Sequence, residues 1–220
     1  NDEDMRAKAA QLWSFGETRT PLDDRDYHAY ALGWMYRGND LTAAFGRSQL
    51  KKLDDYFAIQ RANGAVLNDK LAGLPGLILP TEPDGHTHNW YNYTSRLDMD
   101  AIGWSGHPTR MRDAVMKALQ AEGVPVGVWQ RWILPRMTVF QAKNAYGSGC
   151  PWTFQHAGDG VDYTPERFPV AQRHSDTHFG MTTPLRAPNR TDVADRVAEA
   201  FQKVFANIDR IDPDAILKDA

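Results

Sequence analysis

Apolar positions recur at helical and strand spacings in separate stretches of the chain, and the gaps between them mark turns. Residues 2–15 carry Met5, Ala9, Leu12 and Trp13 behind Asp2, Glu3 and Asp4, the pattern of an amphipathic helix with acids in its first turn. Phe15-Gly16 predicts its stop, because Gly16 can take the left-handed cap. From Asn39 to about Leu71 the pattern Leu41, Ala44, Phe45, Ser48, Leu53, Tyr56, Phe57, Gln60, Val66, Leu67 and Leu71 recurs at helical spacing, many of its steps being three or four residues, which predicts one long helix. Asn39 reads as its N-cap, since the side-chain oxygen can accept a first-turn amide, and Asp40 then sits at the positive end of the helix dipole. Gly46 and Gly64 are weak points in that helix, each costing about 1 kcal/mol against Ala unless close packing needs them.

Gly73-Leu74-Pro75-Gly76 ends the run and residues 80–85 are rich in turn formers, so a domain boundary is placed between residues 75 and 76. Beyond it, residues 88–97 predict a strand with Trp90, Asn92 and Thr94 on one face and Tyr91, Tyr93 and Ser95 on the other. Pro108 opens a helix that turns Met111, Ala114, Val115, Ala118 and Leu119 inward, and Gly123 closes it. Residues 124–129 read as a second short strand, residues 130–169 as a long irregular insertion, and residues 178–184 as a third strand. Thr191 caps a last helix with the stripe Val193, Val197, Phe201, Val204, Phe205 and Ile208. Strand, helix, strand, insertion, strand, helix is an α+β layer, a sheet with helices on one face.

Composition narrows the class without changing this outline. The 220 residues are 42% apolar and 24% charged with a net charge of -3, which fits a globular protein and offers no basic block for nucleic acid or an anionic membrane. One cysteine, Cys150, cannot form an internal disulfide, and no apolar run reaches membrane-spanning length, so the expected compartment is cytoplasmic. The chain opens at Asn1 without a methionine, and the expectation is that its true start lies upstream.

Candidate chemistry gathers in three places. His86, His88, His156, His174 and His178 invite a metal reading, but a lone cysteine and no HExxH-type helix argue against zinc, and no GxSxG elbow supports a serine nucleophile. Between Trp129 and Trp152, aromatic side chains are interspersed with Arg131, Arg136, Gln141, Lys143 and Asn144. Flat apolar faces beside fixed polar donors suit sugar-like rings, and a core-covering loop would share that composition. Residues 17–32, aromatic yet irregular, read as an ordered loop lying over a site. Arg37, just before the Asn39 helix start, offers a planar fork for phosphate or carboxylate beside free backbone amides; pairing with Asp23, Asp24 or Asp26 is the alternative.

Gly33, Trp34, Tyr36, Arg37, Ala43, Ala44, Gln49, Leu50, Lys52, Leu53 and Asp54 carry a resemblance to the DegT/DnrJ/EryC1/StrS aminotransferases. It continues through Leu134-Pro135-Arg136-Met137, Gly147-Ser148-Gly149-Cys150-Pro151-Trp152 and Phe168-Pro169-Val170-Ala171, which are similar to the family's small domain, and the glycine-cysteine run is similar to that of cyclitol and amino-sugar members. The resemblance implies an α/β protein of the type I, aspartate-aminotransferase-like fold of pyridoxal-phosphate transferases. Residues 1–75 would then be the end of the large cofactor domain and residues 76–220 the small α+β domain. It also implies pyridoxal 5'-phosphate as cofactor, held in part by Met35, Tyr36 and Arg37, and substrate contacts from Arg131, Trp132, Arg136 and Gln141. The implied reaction transfers an amino group from an amino acid to a keto sugar or keto cyclitol.

Met35 stands where the family has an asparagine reaching the cofactor phosphate of the neighbouring subunit, and Gln172 where many members have glutamate. None of Lys8, Lys51, Lys52, Lys70, Lys117, Lys143, Lys203 and Lys218 sits in the family's context for the cofactor lysine, which precedes the region matched by Asn1 to Gly16. The chain therefore resembles the C-terminal half of such an enzyme, working as a homodimer or as a heteromer with a lysine-bearing N-terminal half. A degenerate, non-catalytic scaffold for dimerisation or ligand binding is the rival of a different class.

Overall fold

The computed structural model describes residues 2–18, 28–155 and 160–218. The chain divides into two compact units, Asn1–Asp54 and Asp55–Ala220. The expected loop over residues 17–32 lies mostly outside the described residues, as do Asp23, Asp24, Asp26 and His156.

In the first unit, helix α1 (Glu3–Trp13) starts where the Asp2 carboxylate accepts the Met5 amide at 3.1 Å. It stops as foreseen. Phe15 and Gly16 take positive φ, and a Cβ on Gly16 would meet the Ala31 carbonyl at 1.7 Å, so the position demands glycine. Buried Ser14 bridges to Met35, and Glu17 to Ala29, tying the return strand of the loop to the helix end. Helix α2 (Asp40–Leu50) is capped by Asn39, whose Oδ1 accepts the Thr42 amide at 2.9 Å. None of its residues is buried.

The single helix expected from Asn39 to Leu71 is two helices. The Lys52 amide bonds Gln49 O, three residues back, and this tightened turn ends α2 before helix α3 (Leu53–Leu71) begins. Period alone could not reveal the break, because the apolar steps run across it unchanged and neither Gly nor Pro marks it.

The second unit holds α3, strands β1 (Leu77–Ile78) and β2 (Tyr93–Leu97), helices α4 (Pro108–Ala121), α5 (Thr138–Gln141) and α6 (Pro169–Thr177), strand β3 (His178–Met181), and helices α7 (Thr191–Phe205) and α8 (Pro213–Ile216). The strands form an antiparallel sheet in the order β1-β2-β3, with Arg96 opposite His178 and Thr94 opposite Gly180. Two expectations change here. Residues 124–129 contribute only a bridge from Gly127 to Gly180, and the neighbour of β2 opposite β3 is the unforeseen β1, inside the stretch read as a connection. A two-residue strand is set by its partner rather than by its own pattern.

β2 is shorter than predicted, and Trp90 does not share a face with Asn92 and Thr94. Its φ of 53° breaks the alternation and turns the ring into the core against Gly64. From Tyr93 onward the alternation holds. Tyr93, Ser95 and Leu97 are buried, and with Phe179 and Met181 of β3 they face α4 and α7. Met111, Val115 and Leu119 of α4 and Val197, Phe201, Val204 and Phe205 of α7 complete that core, each large side chain worth roughly 1.5–3 kcal/mol when fully removed from water. Thr191 begins α7 as its first helical residue; the cap position is Arg190, without a side-chain bond. Among the described residues, no helix is long and apolar enough to cross a membrane.

Candidate functional site

In the first unit the Arg37 turn is built from its neighbours. The Arg37 guanidinium lies 5.8 Å from the Trp13 ring centre and 5.7 Å from that of Phe15, both within cation–π range. Its Nε donates to the Met35 sulfur at 3.1 Å. Met35 thus orients the arginine, and both terminal nitrogens of the fork have no hydrogen-bond partner among the described residues. Trp34, Met35 and Tyr36 are exposed, as are Leu41, Phe45 and Leu50 along α2. The start of α2 adds backbone amides two and three residues beyond Arg37, with Asp40 as an opposing charge.

In the second unit the face of the sheet turned away from the helices opens into a cavity of about 1050 Å³. Asn92 and Thr94 lie on its sheet side, Trp129, Trp132 and Phe168 are its aromatic walls, and His174 and His178 close it. These residues converge because α6 runs directly into β3, so that a residue from each, four apart, stacks ring on ring at 4.8 Å and 7°. Burial, then His178 and Arg96, push the His174 pKa below its ordinary value. The Ser175 hydroxyl donates to Arg131 O at 3.3 Å and buried Arg112 donates to Ser175 O at 2.8 Å, fixing α6 against the start of the insertion and against α4.

Of the insertion residues named from sequence, Trp132 lines the cavity and Arg131, Arg136 and Gln141 do not. Gln141 instead ties its own loop, donating to Pro135 O at 2.6 Å and Tyr163 O at 2.9 Å. Arg131 and Arg136 are exposed. Around that tie Phe140 and Tyr163 each pack edge to face with Trp152 and lie tilted at 47° to one another, and Trp152 Nε1 donates to the Tyr163 hydroxyl at 3.1 Å. The two histidines of the cavity enter the sequence reading only as metal-ligand candidates; their i, i+4 spacing is the signal that they share a wall.

A family model described as the DegT/DnrJ/EryC1/StrS aminotransferase family matches residues 1–202. The chain belongs to that family. Among curated relatives, a Streptoalloteichus tenebrarius protein named "Putative L-glutamine:3-amino-2,3-dideoxy-scyllo-inosose aminotransferase" is 27% identical over 212 residues, 96% of this chain and 49% of the relative. A Saccharopolyspora spinosa dTDP-4-dehydro-2,3,6-trideoxy-D-glucose 4-aminotransferase is 31% identical over 115 residues, 52% of this chain and 27% of its own. The same organism supplies a dTDP-4-dehydro-2,6-dideoxy-D-glucose 3-dehydratase, 32% identical over 84 residues, covering 38% of this chain and 18% of the relative.

The aminotransferase from Psychrobacter cryohalolentis superposes with a TM-score of 0.66 at 23% identity, over 94% of this chain and 50% of its own. DesV of S. venezuelae, solved in complex with a ketimine intermediate, gives 0.66 at 18% identity over 93% of this chain and 45% of its own. These likenesses bear out the aminotransferase-type α/β fold. The DegT-family chain described here spans about half the length of the relatives it matches.

Proposed function

We propose that this DegT-family chain is part of a pyridoxal-phosphate-dependent aminotransferase acting on a keto sugar or keto cyclitol, with an amino acid as donor. The family match across residues 1–202 carries the reading, and relatives named for amino transfer to such rings support it. When bound, the cofactor supplies the electron sink that lets an amino group pass between two carbonyl carbons.

The residues of this chain fit that group in part. Arg37 and the amides opening α2 suit its phosphate, and Met35 holds the guanidinium in place. No described lysine suits its carbonyl: Lys70 is held by Asp195 at 2.6 Å, Lys203 by Glu122 at 2.7 Å, and the others are exposed or half-buried without a closed site. No step is therefore assigned to a lysine of this chain. The reading requires a lysine-bearing segment alongside it, and a subunit interface at which Arg37 faces the partner's cofactor phosphate. It also keeps residues 1–75 as the end of the cofactor domain, Tyr36 beside that phosphate, Arg131, Trp132, Arg136 and Gln141 as substrate contacts, and a cytoplasmic location.

The test is reconstitution with a lysine-bearing family segment. The 220-residue chain, treated with pyridoxal phosphate and borohydride, should label no single lysine by mass spectrometry, while the assembly should label one lysine of the added segment. The assembly should then aminate a keto cyclitol in the presence of glutamine. Arg37→Lys keeps the charge and loses the planar fork, and should weaken cofactor retention by about 1–3 kcal/mol, the range for a charge-assisted hydrogen bond. Unchanged retention would make the turn structural. Dehydrated rather than aminated product would move the chain to the chemistry of its dehydratase relative, and binding without turnover would favour the scaffold reading.

A further inference from the structure

Arg37 is held in place before anything binds to it, and the rings that hold it lie outside the core. Trp13 and Phe15 are 44% and 41% exposed, yet the guanidinium carbon stands 5.8 Å and 5.7 Å from their ring centres. The backbone sets this arrangement. Trp34 N donates to Leu12 O at 3.0 Å, and Phe15 N to Trp34 O and Tyr36 N to Trp13 O at 3.1 Å each, so residues 34–36 run along the end of α1 and deliver Arg37 beside both side chains. Phe15 adopts a φ of 58°, a conformation that suits glycine and disfavours a side chain. Core packing does not account for a ring at that position, because the ring is exposed. Met35 adds the last restraint. A guanidinium can grip an oxyanion side-on, through Nε and one terminal nitrogen, or end-on, through both terminal nitrogens. The Met35 sulfur, 3.1 Å from Nε, occupies the first edge and leaves the second open.

We propose that Trp13 and Phe15 are positioning residues, which hold the Arg37 guanidinium so that its two terminal nitrogens meet the cofactor phosphate end-on. The identity of that oxyanion rests on the aminotransferase reading; the restraint itself rests on the contacts of the first unit alone. An exposed arginine loses rotamer freedom when it clamps an anion, and that loss subtracts from affinity. Two ring faces and a sulfur remove the freedom beforehand, so more of each charge-assisted hydrogen bond is expressed as binding. The other use of exposed aromatic rings is a contact that buries them against a partner segment. It predicts loss of assembly when the rings are removed, rather than loss of phosphate.

The experiment uses the complete protein, this chain together with the lysine-bearing segment that the proposed function requires, and its first readout needs no cofactor. With 13C,15N-labelled arginine, the Arg37 side-chain protons, assigned through Arg37→Lys, should lie upfield under the ring currents, and Phe15→Gly or Trp13→Leu should move them toward random-coil positions. The second readout is equilibrium dialysis of pyridoxal 5'-phosphate. Each of the two variants should weaken retention about threefold, the share of one exposed cation–π contact, while Trp13→Phe, which keeps an aromatic face, stays near the native value. Phe15→Gly should leave the melting midpoint unlowered, because glycine suits that φ, so affinity falls where stability does not. Arg37 signals at random-coil positions in the native protein overturn the proposal whether or not any variant folds. Dissociation of the assembly by Phe15→Gly or Trp13→Leu on size exclusion assigns the rings to a partner contact and overturns it equally. A native protein that retains no pyridoxal phosphate refutes the aminotransferase reading and this proposal with it, whereas undiminished retention in both variants refutes the proposal alone.

Discussion

Gly64 sits in the buried face of α3, and replacing it with alanine sets two effects of known sign against each other. Alanine is the better helix former by about 1 kcal/mol, so propensity alone predicts that Gly64→Ala stabilises the chain. The added Cβ would stand 2.8 Å from Cδ1 and Cγ of Trp90 and 2.9 Å from Cδ2. These atoms belong to the rigid inner end of the indole, and the ring is 4% exposed and stacked on His88 at 4.4 Å. It has nowhere to retreat. Overpacking of that kind costs about 1–3 kcal/mol, so the net expectation is destabilisation by roughly 0–2 kcal/mol. Urea unfolding followed by circular dichroism measures the difference, and a double-mutant cycle isolates its cause. In a Trp90→Ala background the collision is gone, and Gly64→Ala should become stabilising. If Gly64→Ala raises the unfolding midpoint of the otherwise native chain by the full propensity gain, the close approach of α3 to Trp90 does not constrain this position and the reasoning fails.

Two further predictions concern ionisable groups of the second unit. Tyr93 donates to Asn68 Oδ1 at 2.7 Å and is 1% exposed, and burial raises its phenol pKa. The folded state therefore holds this proton longer than the unfolded chain, so stability is full below about pH 10 and declines as pH rises toward the folded value. Tyr93→Phe should cost about 1 kcal/mol at neutral pH and flatten that alkaline decline; an unchanged slope in urea titrations would count against it. Glu82 is pulled from 4.5 to about 2, first by the Arg61 guanidinium and then by the His88 amide. Its contribution is present above pH 4.5 and fades as pH falls toward 2, and carboxyl 13C titration of the folded chain should find that low midpoint, with Arg61→Gln moving it back up.

The parts of the fold that were legible in the sequence are those governed by local rules. Asn39 caps a helix because its side chain reaches its own first turn, and the stripes of α4 and α7 face the core because 3.6-residue periodicity places them there. What was not legible depends on distant partners. β1 exists because Leu77 and Ile78 meet Leu97 and Arg96, and Trp90 leaves its expected face because Gly64 provides a slot for its ring. The candidate site divides the same way. An aromatic-rich insertion pointed to Trp132 and to a cavity, whereas His174 and His178 share its wall only because α6 runs directly into β3.

Gln141 and the rings of Phe140, Trp152 and Tyr163 give the insertion a small interior of its own, outside the cluster that binds the helices to the sheet. Cooperativity is divided accordingly. The insertion can open as a separate unit while α4, α7 and the sheet remain closed, so its amides should exchange with solvent through a sub-global event of lower free energy than that of the core. Sequence drift in the insertion is then decoupled from the stability of the core. A lineage can remodel what lies beside the cavity without putting the rest of the chain at risk of unfolding.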